Sequence, residues 1–165
     1  NYHLTANSPC INAGGSAYTD GAGDVWVKPQ KYVAGSWGYL QKGATRTTKH
    51  AIAGTADPTL YRSQHEDPYA YRFDGVPDGV YEVDLRFAEI QSGVGYGKRL
   101  FDVVIEDEFV LPAHDIVYEV GTFTAEERRF FLAVTDGHVD VRLIPRAGSK
   151  KPVINALRVV HRPDR

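Results

Sequence analysis

Two large rings stand between glycines in Gly35-Ser36-Trp37-Gly38-Tyr39, where no apolar periodicity asks for their burial. Such rings offer a flat apolar platform for the C–H face of a sugar. Planar polar groups beside them can replace the water that sugar hydroxyls lose on binding. Groups of that kind crowd into Tyr61-Arg62-Ser63-Gln64-His65-Glu66-Asp67-Pro68-Tyr69, where Glu66 and Asp67 could bracket hydroxyls while His65 stacks or donates. Tyr96, within Ser92-Gly93-Val94-Gly95-Tyr96-Gly97, places a further ring on a glycine-rich loop. The competing readings are structural: Trp37 and Tyr39 as anchors packing a loop against the core's edge, and residues 63–68 as a solvated turn before a strand at Tyr69–Phe73. Trp26, between Val25 and Val27, reads as a structural residue.

Catalytic chemistry finds little support. Cleaving a glycosidic bond takes two carboxylates roughly 5–10 Å apart. Glu66 with Glu89, or Asp67 with Asp115, could be cast in those roles, but no spacing enforces either pairing, and no Gly-x-Ser-x-Gly nucleophile motif occurs. Cys10 is the single cysteine, so neither an internal disulfide nor a cysteine-type zinc site is available, and His3, His50, His65, His114, His138 and His161 lie far apart. The expectation is no catalytic residue, no metal centre and no cofactor. A structural calcium on loop carbonyls and Asp20 or Asp24 is the one ion such a chain could take. Lys plus Arg number 19 against 21 Asp plus Glu, a net charge of -2 with the signs interspersed, which argues against a phosphate-binding groove for DNA or RNA. No apolar run approaches the ~20 residues of a membrane span.

The elements that must position these residues are strands. In Val80–Ile90 a period of two puts Tyr81, Val83, Leu85 and Phe87 on one face and Glu82, Asp84 and Arg86 on the other, the pattern of a half-buried strand. The same period recurs at Phe101, Val103 and Ile105 and at Val139, Val141 and Leu143. By that parity Glu89 faces inward, where a carboxylate needs a partner, and Arg99 at the head of the next strand is the candidate. Asp74-Gly75, Asp78-Gly79 and Asp136-Gly137 supply turn chemistry, and Asp136-Gly137 predicts a hairpin between antiparallel strands. Thr124-Ala125-Glu126-Glu127 fits a capping box, which predicts at most one helical turn. The stretch from Gly14 to about Pro68 is irregular, as long functional loops are. Together these predict an all-β fold, an antiparallel β-sandwich of jelly-roll type with long binding loops at one edge. Its core is drawn from Tyr81, Val83, Leu85, Phe87, Phe101, Val103, Ile105, Leu132, Val134, Val141, Leu143, Ile154 and Leu157. A chain of 165 residues suffices for one such domain. The absence of Met and an Asn at position 1 suggest a piece excised from a longer chain.

Several spaced motifs then coincide: Ile11-Asn12-Ala13-Gly14-Gly15 with Tyr18, Asp20, Gly23 and Trp26; Leu60-Tyr61-Arg62; Gly79 to Ile90; Lys98-Arg99-Leu100-Phe101-Asp102-Val103; and Pro152-Val153-Ile154-Asn155-Ala156-Leu157. In this order the chain resembles a malectin domain over about residues 11–161. The resemblance implies a sandwich whose loops bind glucose-containing oligosaccharide without cleaving it. Family positions that carry an aromatic pair fall here on Gln91 and Ser92, one that carries Tyr falls on His65 or Glu66, one that carries Asp falls near Lys150, and an early loop Tyr falls on Trp37 or Tyr39. Residues 1–10 resemble the closing segment of secreted parallel β-helix proteins, and residues 162–165 form a tail. The expected ligand-binding residues are therefore Trp37, Tyr39, His65, Glu66, Asp67, Gln91, Tyr96 and Lys150. The expected function is a carbohydrate-binding module, part of a larger secreted or cell-surface polysaccharide-active protein of bacterial type, that targets an attached domain to polysaccharide. Its partners would be the glycan and the adjacent domain. The alternative is a spacer that packs against a catalytic neighbour and has lost sugar binding. In a further variant, Lys150, Lys151, Lys98 and Arg99 select an acidic glycan.

Overall fold

Alternating apolar residues with few helix formers produce a chain whose regular structure is almost entirely strand. The computed structural model describes residues 9–165. In chain order its strands are β1 (Cys10–Asn12), β2 (Tyr18–Thr19), β3 (Val25–Val27), β4 (Trp37–Tyr39), β5 (Ala44–Thr47), β6 (Ser63–Glu66), β7 (Ala70–Asp74) and β8 (Gly79–Phe87), then β9 (Phe101–Ile105), β10 (Glu108–His114), β11 (Glu126–Val134), β12 (His138–Pro145), β13 (Val153–Ile154) and β14 (Ala156–His161). One five-residue helix, α1 (Ile116–Val120), separates β10 from β11, and a 3-10 turn, Pro58–Tyr61, precedes β6. Asn1 to Ser8, the bulk of the segment read as a preceding-domain tail, lies outside the described residues; Cys10 opens β1.

Two sheets form the sandwich, one in the order β11-β8-β14-β1-β3-β2 and the other β10-β9-β12-β7-β4, with a small third sheet β13-β6-β5 at one end. The two large sheets are antiparallel throughout, except that β1 runs parallel to β3. The register sets Leu85 opposite Leu157 and Arg128, and Tyr81 opposite Leu132. All thirteen expected core residues fall in one buried cluster between the sheets, because the period of two puts each on the facing side.

The outer face of β8 departs from the expectation. Glu82 and Asp84 point away from the main core, yet both are fully buried. Arg162 Nη1 lies 2.6 Å from Glu82 Oε1, and Arg86, Arg158 and Arg129 close over Asp84 at 3.3–3.9 Å. Burial, with Glu127 adding to it, holds the Asp84 carboxyl up at about 6 despite Arg86. A second apolar cluster, with Trp26, Cys10, Leu60, Tyr61, Ala88 and Ile90, sits beside this layer, and the Arg86 guanidinium stacks over the Trp26 ring at 4.8 Å. Parts of the chain between Gly14 and Pro68, with Trp26, Leu60 and Tyr61, are thus folded back as a cover on this layer, which a strand alternation cannot reveal. Its entry is tight: a Cβ on Gly14 would lie 2.2 Å from the backbone nitrogen of Gln64, so no side chain fits there.

One local expectation is corrected and a second is narrowed. Asp136-Gly137 does turn with Gly137 at φ 83°, but it joins strands of different sheets, since β11 pairs with β8 and β12 with β9 and β7. The turn chemistry was legible; the partner was decided by which face each strand buries. Thr124–Glu127 makes no helical turn, for Glu126 begins β11 and buries its carboxylate against His114. The one helix starts at Ile116, capped by Asp115, whose carboxylate accepts the Tyr118 N–H at 3.1 Å.

Candidate functional site

The small sheet β13-β6-β5 carries His65 and Glu66 and gathers Tyr39 and Gln91 around them, four of the eight residues singled out from the sequence. β6 carries Gln64, His65 and Glu66; β5 lies on one side of it and β13 on the other. Beside them β4 delivers Tyr39, paired with Tyr71 of β7. The Tyr39 ring is half-buried and meets His65 edge-on, with centroids 5.1 Å apart at 87°, and Tyr71 at 6.3 Å. These contacts hold it at the rim of a concavity of about 200 Å³ lined by Ala13, Pro29, Tyr39, Lys42, Thr45 and His65, among others. Gly43, at φ 50°, lets that loop close, because a Cβ there would sit 2.0 Å from the Glu66 carbonyl oxygen.

His65 is a wall of this concavity rather than a free donor. Its Nε2 lies 2.7 Å from the Lys42 carbonyl, which can only accept, so that nitrogen carries the proton and Nδ1 accepts the Tyr71 hydroxyl at 2.7 Å. Burial depresses the His65 pKa, outweighing the Lys42 bond, and burial likewise keeps the Tyr71 hydroxyl protonated. The neutral imidazole therefore contributes stability that is fully present above about pH 6.5 and is lost as pH falls through the lowered folded value. Melting curves from pH 7.5 to 5 should show this loss, and His65→Gln, which can keep both hydrogen bonds, should flatten it. Parallel pH dependence in the two proteins would assign the loss to other groups.

On the far side of β6 the buried Arg99 gathers Glu66 and Gln91. Its Nε donates to Glu89 Oε1 at 2.7 Å, Nη2 to Glu89 Oε2 at 3.4 Å and to Gln91 Oε1 at 2.8 Å, and Nη1 to Glu66 Oε2 at 3.2 Å and to the Lys151 carbonyl. Arg46 reaches the same Glu66 oxygen at 3.1 Å. Burial alone would raise the Glu66 carboxyl, but Arg46 and Arg99 together hold it below the usual carboxylate range. The expected inward Glu89 and its Arg99 partner are thus both present, and Arg99 is the hub of a larger array. Arg99 is only 2% exposed, so it stands behind this surface and presents no charge to an acidic glycan.

The remaining expected residues are spread along the same end of the fold or leave it. Trp37 does not sit in an open loop: it lies in β4, 8% exposed, with its ring stacked on Phe73 at 6.4 Å. The Gly35-Ser36-Trp37-Gly38 spacing reads as loop in sequence, but pairing with β7 buries the Trp37 ring. Tyr39 shares that strand and differs only in reaching its open end. Asp67 occupies a left-handed turn, φ 60°, with its N–H on the Pro152 carbonyl. Tyr96 is 74% exposed on a loop tied down by Gly97 N–H to the Asp115 carboxylate, and exposed Lys150 donates its N–H to the Lys98 carbonyl on the next loop. Asp20 accepts the N–H groups of Ala22, Asp24 and the Trp26 indole, and Asp24 pairs with Arg158. Lys42, Thr45 and Arg46 were missed, since Lys42 lies in the loop before β5 and β5 is a four-residue, mostly exposed strand that carries no apolar period.

The model of the malectin domain matches residues 7–163. The chain belongs to the malectin-domain family. A kinesin-like protein of Oryza sativa subsp. japonica is similar to this malectin domain, 32% identical over 132 residues that make up 79% of this chain and 12% of that protein. A probable LRR receptor-like serine/threonine-protein kinase of Arabidopsis thaliana is 27% identical over 152 residues, 78% of this chain and 15% of its own. Among solved structures, a β-glucuronidase of Bacteroides uniformis superposes with a TM-score of 0.85 at 28% identity, covering 94% of this chain and 18% of that one. The extracellular domain of ANXUR2 from Arabidopsis thaliana shares the fold, with a TM-score of 0.78 at 14% identity over 93% of this chain and 48% of that one. The chain spans 12–17% of the length of the curated relatives it matches. Among the described residues no helix is long and apolar enough to cross a membrane.

Proposed function

We propose that this malectin domain is a non-catalytic carbohydrate-binding module that holds an attached domain near polysaccharide, with the Tyr39 concavity as its sugar site. The observation that carries the reading is a half-buried aromatic ring fixed at the lip of a concavity of about 200 Å³. Its ring is held at a set angle by His65 and Tyr71, so little rotamer entropy is lost on stacking. The exposed Lys42 and Thr45 supply donors at the rim. His65, Tyr71 and the Lys42 carbonyl satisfy one another, so the wall needs no rearrangement to receive a ligand. Affinity should be weak, on the order of 10 µM to 1 mM, because a stacked ring and a few hydrogen bonds must offset desolvated hydroxyls. Location outside the cell, as part of a secreted or surface protein, is supported by the receptor-like kinases among the relatives. Attachment to a polysaccharide-active enzyme of bacterial type is supported by the glucuronidase likeness.

Calorimetric titration with gluco-, xylo- and uronate oligosaccharides tests this. Tyr39→Ala should weaken binding at least tenfold, about 1.4 kcal/mol, while the domain stays folded. Silence across the whole panel from a folded chain would remove sugar binding from consideration. Binding that Tyr39→Ala leaves intact would move the site elsewhere. Uronate binding that weakens steeply with salt would assign an acidic glycan to the exposed lysines Lys98, Lys150 and Lys151. One observation favours the spacer reading instead: Glu66, Gln91 and Arg99 are taken up by one another and leave that part of the surface a structural brace. A spacer predicts that deleting residues 11–161 from the parent lowers its thermal stability without reducing polysaccharide pull-down.

A further inference from the structure

A second concavity, about 360 Å³, opens where the edge strands of the two large sheets meet, β10 of one and β11 of the other, with α1 bridging them. Its base is buried charge. His114 Nε2 lies 2.8 Å from Glu126 Oε1, and the other Glu126 oxygen holds Arg128 Nη1 at 3.1 Å. Glu126 is 5% exposed and Arg128 is 35% exposed, so a guanidinium fixed from behind faces the opening. Tyr118 stands 74% exposed at the rim, with exposed Glu119 next to it.

The backbone here is shaped for more than closing an edge. Between Leu111 and His114, β10 sets two residues against Asp102 alone. Asp102, braced by Arg146 at 2.9 Å, accepts the Ala113 N–H at 2.7 Å and holds Ala113 at φ 46°, a conformation that strains any residue with a Cβ. A bulge and Pro112 would be enough to blunt the edge.

We propose that this groove is a second sugar site, taking a neutral pyranose unit with its C–H face on Tyr118 and its hydroxyls between Arg128 and Glu119. The ring supplies the platform, the guanidinium donates and the carboxylate accepts, which is the pairing that vicinal hydroxyls require. Glu119 and Asp115 repel phosphates and uronates, and Arg128 is already neutralised by Glu126, so an anionic ligand gains nothing. The proposal rests on the reading of the domain as a sugar binder. Two weak sites on one rigid domain would raise apparent affinity for a polymer long enough to span both.

The test is amide NMR of the labelled chain titrated with cellotetraose, xylotetraose and maltotetraose, with calorimetry for stoichiometry. Two separate sets of shifting amides are expected, one around residues 39–45 and 65 and the other around 113–119 and 128, with two sugars bound per chain. Tyr118→Ala, at an exposed position, should erase the second set and reduce the stoichiometry to one while the first set still shifts. If the first set responds and the second stays still, or if the second survives Tyr118→Ala, the groove is not a sugar site and the Tyr39 reading stands. Response of the second set alone would overturn the Tyr39 site and keep the groove. Silence in both sets would overturn both.

Discussion

Replacing Asn155 with alanine is expected to lower the melting temperature of this domain by roughly 10–20 °C. Asn155 is wholly buried between β13 and β14, and its side chain ties together the end of the 3-10 turn, the start of β6 and the residue that follows β8. Its Nδ2 donates to the carbonyls of Tyr61 and Ser63, both at 3.0 Å, and its Oδ1 accepts the Ala88 N–H at 2.9 Å. Truncation would leave one backbone donor and two acceptors in a dry interior. Each such orphan costs about 1–3 kcal/mol, so a total of about 3–6 kcal/mol is expected, and a domain of this size melts about 2–4 °C lower per kcal/mol. Asn155→Asp should be at least as damaging, since it removes both donors and buries a charge. Scanning calorimetry decides it: a drop under about 3 °C would mean that water or neighbouring donors replace the amide. The variant also probes the sugar reading, because Ser63 belongs to the strand that carries His65. Loosened, that strand should cost affinity at the Tyr39 concavity beyond any loss of folded protein.

Arg99→Ala should be comparably severe by a different route. The substitution leaves the fully buried Glu89 without its bidentate partner and strips Glu66 and Gln91 of a shared donor. Breaking one side of a buried pair typically costs about 3–5 kcal/mol, whereas removing both charges costs far less. The double variant Arg99→Ala with Glu89→Gln should therefore be more stable than Arg99→Ala alone, a non-additivity that urea unfolding can measure. Simple additivity would show that the Glu89 carboxylate finds another partner. Arg99→Lys should fall between the extremes, because an ammonium cannot present the fork that reaches Glu89, Gln91, Glu66 and the Lys151 carbonyl at once.

Much of the fold could be read in the chain because strand periodicity is a local property. Tyr81, Val83, Leu85 and Phe87 alternate with polar residues, so the inner face of β8 followed at once, as did the inward Glu89 and its Arg99 partner. The outer face did not. Glu82 and Asp84 look like surface residues until Arg162, Arg158 and Arg129, which lie 45 to 80 positions away in the chain, close over them. Turn chemistry had the same limit. Asp136-Gly137 announces a reversal, but whether the following strand pairs with the preceding one or crosses to the opposite sheet depends on the facing surfaces. Thr124 and Glu127 satisfy a capping pattern that allowed at most one helical turn, and β11 leaves none because it pairs with β8 along its whole length.

For the candidate site the division is sharper. Residue type alone singled out Tyr39, His65 and Glu66 as groups able to engage a sugar, and Gln91 entered through the family resemblance, since ring faces and planar polar groups are legible in a sequence. Which of those groups are left open and which are taken up by neighbours was decided by packing. Trp37 and Tyr39 are two residues apart on one strand, yet one ring stacks on Phe73 inside the sandwich and the other stops at its open end. His65 and Glu66 are neighbours in the chain, yet one is locked between Tyr71 and Lys42 and the other faces Arg46 and Arg99. Sequence determined the chemistry on offer because side-chain type is intrinsic. Tertiary structure decided its use because exposure and partnership are properties of segments brought together from across the chain.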